Sequence, residues 1–288
     1  MKKGLVLEGG GLRGAYTAGA LSWFLKEEIH FDYNVGISAG AQHLCNYLTG
    51  DVDYLKDISV TIGPGELKKG LKPLLTEGNL VSYDYLFDYV LKEVAPLDLD
   101  KLRASKVESE IGLFDLEAGK TVWINTKDID KDYLELKAAS TIPLAGKPVV
   151  IDGKKYVDAG AAYMIPIERS LEKNMDKHIV ITTKPSTYVR KPTNFLTNLY
   201  FFLFYNKFKE FRQLIKNRSD IYYRQKNKVD NLEKQGLALE IYPSKSFNIG
   251  RFGGDESQLE DLFQTGFDDC ESRRSEIYNF IEEDSNKK

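Results

Sequence analysis

Ser38 stands at the centre of Gly36-Ile37-Ser38-Ala39-Gly40, and a glycine cluster, Gly9-Gly10-Gly11-Leu12-Arg13-Gly14, precedes it by one helix length. In a GxSxG segment the two flanking glycines permit a sharp strand-to-helix turn that lifts the hydroxyl onto a helix N-terminus. Consecutive glycines let backbone N–H groups converge, and the following helix adds its positive end. A raised hydroxyl beside such a nest is the equipment for attacking an ester and holding the resulting oxyanion. Each segment also has a bland reading, the serine as a helix cap and the glycines as a tight turn.

Gly9, Gly11 and Gly14 also fit GxGxxG, the dinucleotide signature. That signature needs an acid at the far end of the second strand, whereas Asp32 precedes the strand "YNVGI". A P-loop needs Lys and Ser/Thr where Ala15 and Tyr16 stand. A nucleotide-binding or catalytically idle α/β module therefore remains as the alternative, with its context against it.

A serine hydroxyl needs a base. The three histidines are His30, His43 and His178. His43 shares the helix of Ser38, five residues on. His178 follows Asp158, so Ser38…Asp158…His178 copies the chain order of α/β-hydrolase triads, but it opens the strand "HIVITT" at the end away from the strand tips. An ordinary Ser-Asp-His esterase would depend on it. Asp158 closes a hairpin strand before Ala159-Gly160, where a carboxylate projects from the sheet tip. Desolvation there raises its basicity, so a direct Ser38–Asp158 dyad is chemically reasonable; a turn-capping role is the other reading.

The elements that must position these groups read as strand, glycine loop, helix, strand, serine turn and helix. This is α/β layering around a mainly parallel sheet. "KGLVLEG", "YNVGI" and "HIVITT" are short buried strands. "SEIGLFDLEAGKTVWIN" and "KPVVIDGKKYVDAG" are hairpins, turning at Glu117 to Gly119 and at Asp152-Gly153. Residues 51–105 read as helix and loop. Pro185, Pro192 and a shift in composition divide the chain into a catalytic domain, 1–190, and a mostly helical extension, 191–288. Within the extension Phe201, Phe204, Phe208, Phe211 and Ile215 recur at helical spacing among lysines and arginines. Such a helix packs on a core or lies on an anionic membrane, so residues 195–218 are the expected site of any peripheral membrane contact.

Composition sets the outer bounds. Across 288 residues, 42% are hydrophobic and 29% charged, with a net charge of −3, so no broad basic field for nucleic acid is expected. Cys45 and Cys270 lie in no metal-binding or disulfide pattern, which predicts no metal site and a cytoplasmic setting. No apolar run reaches the ~20 residues of a spanning helix.

Taken together, the glycine loop, GISAG and Asp158-Ala159-Gly160 resemble the patatin-like phospholipase family, as does "AASTIPL" before the second hairpin. The resemblance covers roughly residues 4–185. It implies a patatin-like α/β fold and hydrolysis of phospholipid or other fatty-acyl esters without a cofactor. By it, Ser38 is the nucleophile and Asp158 its base. Gly9, Gly10, Gly11, Leu12, Arg13 and Gly14 form the oxyanion loop, and Gly36 and Gly40 shape the elbow. Ala159 stands where the family usually has glycine, and Tyr163-Met164-Ile165-Pro166 where it often has Asp-Pro-Ile-Pro.

Overall fold

A computed structural model describes residues 1–66 and 69–282. Five apolar segments form the parallel centre of one eight-stranded sheet: β1 (Lys3–Leu7), β2 (Tyr33–Gly36), β3 (Glu108–Asp115), β7 (Lys177–Ile181) and β8 (Ala238–Ile241). They lie in the order β3-β2-β1-β7-β8, each parallel to its neighbour. β4 (Lys120–Asn125), β5 (Val149–Ile151) and β6 (Lys154–Asp158) add an antiparallel margin, β4 and β6 both pairing with β3. β1, β2 and β7 are buried almost throughout, as parallel strands covered on both faces must be.

β3 is the element on which the geometry turns. β4 runs along one of its edges over Glu110–Asp115. Its other edge is shared. β2 occupies the first half and stops at Gly36, opposite Ile111. β6 arrives from the opposite direction and stops at Asp158, opposite Leu113. Two strands thus end head to head, two residues apart along β3, a span of about 7 Å.

Helices cover both faces. α1 (Gly14–Lys26) follows the glycine loop, α2 (Ala39–Leu48) follows Ser38, and α3 (Leu134–Ser140) precedes the second hairpin. Both hairpins turn where the sequence places them: Gly119 and the Asp152-Gly153 pair take positive φ.

The region after residue 190 is helical, with α4 (Phe195–Phe204), α5 (Lys209–Lys216), α6 (Arg218–Lys234) and α7 (Glu256–Ser272). It differs from the sequence reading in two respects. "ALEI" is a strand, β8, pairing with β7 from His178↔Ala238 to Ile181↔Ile241, so the sheet continues past residue 190. The aromatic stripe is also not one helix: the chain breaks at Tyr205–Phe208 between α4 and α5. α7 lies across α1 with Gly19 and Gly266 at the crossing. A Cβ on either would meet the other helix's backbone carbonyl, Phe263 O at 1.9 Å or Tyr16 O at 2.1 Å. No helix among the described residues is long and apolar enough to cross a membrane.

Candidate active site

Ser38 follows β2 with φ +56° and ψ −123°, a conformation that L-residues adopt only under strain. It occupies the N-cap position of α2, yet its side chain makes no capping hydrogen bond, so the cap reading does not describe this serine. The turn is tight enough to require Gly40, where a Cβ would stand 2.7 Å from Leu7 O and 2.8 Å from Glu8 O. Gly36 faces the Gly40 carbonyl in the same crossing.

Because β2 and β6 end against each other on β3, Asp158 arrives beside Ser38. Both are almost fully buried, at 8% and 6% exposure. Burial raises the Asp158 pKa above the ordinary carboxylate value. The Ser38 hydroxyl, the Gly160 N–H, Arg218 and Arg251 counter that rise by favouring the anion. Asp158 Oδ1 accepts from Gly160 N at 2.7 Å, so it caps its own turn as well as meeting the serine. Ala159 is buried and is not among the residues with positive φ, so its methyl is accommodated without backbone strain.

The glycine loop lies against the same point. Gly9 N–H donates to Met164 O and Leu12 N–H to Arg251 O, which engages both. The N–H groups of Gly10 and Gly11 have no acceptor among the described residues. Gly11 takes φ +61°, a left-handed conformation suited to glycine. Gly14 serves packing instead, seated where a Cβ would meet the His43 ring. Among the described residues Arg13 forms no salt bridge to an acid. The buried Glu8 is paired with Lys184 and accepts from Thr183 N at 2.7 Å.

His178 lies at the opposite end of the sheet. It registers with Gly4 at the start of β1, whereas Ser38 follows the end at which Leu7 pairs with Gly36. Its Nδ1 is hydrogen-bonded to the Ser170 hydroxyl at 2.9 Å. Burial holds its pKa down at about 4. His43 is buried behind the loop, also at about 4, with Nδ1 3.3 Å from the Ser59 hydroxyl. The histidine triad therefore does not assemble.

A cavity of about 510 Å³ opens over Ser38 and Asp158. Gly9, Gly10, Gly11 and Arg13 form one wall, and Ile142, Pro143 and Leu144 of "AASTIPL" another. Residues after 184 close it, among them Tyr188, Arg190, Phe201, Arg218 and Arg251. The sequence did not single out these later arginines as site residues. Arg218 Nε donates to Gly160 O at 3.0 Å, directly behind the aspartate turn. A second, narrower cavity meets Ser38 from the α2 side, lined by Leu86, Leu91, Leu136 and Ile142.

The family model described as patatin-like phospholipase matches residues 5–171, which include the whole constellation. The chain belongs to the patatin-like phospholipase family. A second model, a domain of unknown function (DUF6363), matches residues 208–282. The uncharacterized protein YjjU of Escherichia coli (strain K12) is 28% identical over 198 residues. That match takes in 63% of this chain and 52% of YjjU, so the chain spans about half the length of that relative. Among solved structures, VipD from Legionella pneumophila superposes with a TM-score of 0.52 at 11% identity, covering 96% of this chain and 67% of VipD. At that identity the likeness concerns the fold alone. The patatin-like fold, a central sheet with a helical C-terminal region, is thus common to both.

Proposed function

We propose that this patatin-like protein is a serine lipid acyl hydrolase working through a Ser38–Asp158 dyad. The observation that carries the reading is the head-to-head ending of β2 and β6, which makes the Ser38 hydroxyl a hydrogen-bond partner of a buried carboxylate of raised pKa. Asp158 takes the Ser38 proton as Oγ attacks the ester carbonyl. The Gly10 and Gly11 N–H groups receive the developing oxyanion. The tetrahedral intermediate collapses as Asp158 hands that proton to the departing alkoxide, which leaves as the alcohol; an acyl-serine and a free Asp158 carboxylate remain. Water, deprotonated by Asp158, attacks the acyl carbonyl and frees the fatty acid.

Fatty-acyl esters of the phospholipid class suit the apolar walls. α4 supports access from a lipid surface: its inner residue Phe201 lines the cavity, while Phe195, Leu196, Phe202, Leu203 and Phe204 are exposed. A fluorophosphonate probe tests the dyad reading. Labelling mapped to Ser38, together with metal-independent hydrolysis of p-nitrophenyl acyl esters, is expected. A folded protein that neither reacts at Ser38 nor turns over any ester refutes it.

A further inference from the structure

The cavity above Ser38 is lined by Arg13, Lys184, Arg190, Lys191, Arg218 and Arg251, against one carboxylate, Asp158. Lys184 is neutralised by Glu8 beneath it. None of the four arginines is ion-paired to a carboxylate among the described residues, and each has its guanidinium only partly engaged. Arg190 stacks over the Tyr222 ring, 5.3 Å from its centroid. Arg218 gives its Nε to a backbone carbonyl. Arg13 Nε is buried with no hydrogen-bond partner among the described residues. Arg251 accepts from Leu12 N through its carbonyl and lines the same cavity, where its charge acts on Asp158 and on the other three arginines. Burial disfavours the charge of Arg13, Arg190 and Arg218, bringing the Arg218 pKa down to about 9, and the nearby charge of Arg251 adds to this in all three.

Four guanidinium groups gathered in a partly dry cavity around a single carboxylate are held at a cost that an anion removes. Their planar donor forks match the oxygens of a phosphate. We propose that Arg190, Arg218 and Arg251, with Arg13, form a phosphate-binding subsite beside Ser38, and that the preferred substrate is a glycerophosphate acyl ester without a cationic headgroup. In such a lipid the phosphate and an acyl ester sit on neighbouring glycerol carbons, so one molecule reaches both the arginines and Ser38. A choline group would bring a fixed cation into the arginine cluster. The inference rests on the acyl-hydrolase reading above, and its test separates the two.

The test compares dihexanoyl phosphatidate, dihexanoyl phosphatidylcholine and dihexanoylglycerol, all kept monomeric so that attraction to a charged surface plays no part. Hexanoate release gives kcat/KM for each. Phosphatidate is expected to exceed dihexanoylglycerol by about tenfold or more, the scale of charge-assisted hydrogen bonds. In Arg190→Gln/Arg251→Gln that preference is expected to shrink towards parity. Arg190→Gln alone, with circular dichroism on both variants, serves if the double variant does not fold. Equal kcat/KM for all three lipids in the wild-type protein overturns the substrate assignment. If inorganic phosphate nevertheless binds and the double variant loses that binding, the subsite belongs to free phosphate. If no ester is turned over, the hydrolase reading fails. Titration calorimetry with inorganic phosphate then decides the subsite alone, and heat identical in wild type and double variant overturns it.

Discussion

Asp158→Asn separates chemistry from packing at the dyad. Asparagine keeps the shape of aspartate, and its amide oxygen can still accept from Gly160 N, the 2.7 Å contact that fixes the turn. The amide nitrogen then faces Ser38 and cannot accept a proton. General-base catalysis contributes about 10²–10⁴ in rate, so kcat is expected to fall by that factor, about 3–5 kcal/mol of activation free energy. Stability should move little, or upward. Burial raises the Asp158 pKa, so at neutral pH its charge works against the fold, and the amide removes that charge. Arg218 loses its nearest carboxylate, which sets a limit to the gain. Steady-state kinetics on one soluble ester, with a thermal melt, measures both quantities. Ser38→Ala combined with Asp158→Asn should be no worse than either alone, because the two serve one step. A folded Asp158→Asn protein with near-normal kcat would refute the dyad.

Acid should destabilise the fold before any carboxylate pair breaks. His43 and His178 are held near pKa 4 by burial, against 6.5 for an exposed imidazole. Above pH 6.5 both are neutral in either state, and their contribution is complete. As pH falls from 6.5 towards 4 only the unfolded chain takes up these protons, so up to about 3 kcal/mol per histidine is lost. Urea midpoints at pH 7 and 4.5 should show the fall, and His178→Gln should flatten it; an unchanged midpoint contradicts it. Phe202→Ser/Leu203→Ser changes two exposed positions of α4. It should leave the melt within a few degrees and reduce sedimentation with lipid vesicles, whereas unchanged vesicle binding removes α4 as the contact.

Much of the molecule was legible in local pattern. The glycine loop, the serine turn and both hairpins are written in contiguous residues, and each forms where its turn chemistry places it. β8 was not legible, because four residues flanked by a polar helix and a loop carry too little periodicity, and only pairing with β7 makes them a strand. The meeting of Ser38 with Asp158 depends on two strands sharing one edge of β3, a non-local pairing that spacing does not encode. The aromatic stripe illustrates the same limit. Within α4 Phe201 turns inward while Phe204 is left outside, and beyond the break a separate helix, α5, turns Phe211 and Ile215 inward. Arg190, Arg218 and Arg251 belong to no motif, and the fold alone brings them to one cavity.

The sheet that continues past residue 190 also sets a timetable. A ribosome releases Ser38, the glycine loop and Asp158 well before β8 and α7. β7 has an open edge until Ile241 has emerged, Leu12 lacks the carbonyl that holds the glycine loop until Arg251 has, and α1 has an uncovered face until Ser272 has. Order of synthesis therefore separates the groups from their frame: a half-made chain already holds Ser38, Asp158 and the glycine loop, but not the strand, helix and carbonyl that brace them.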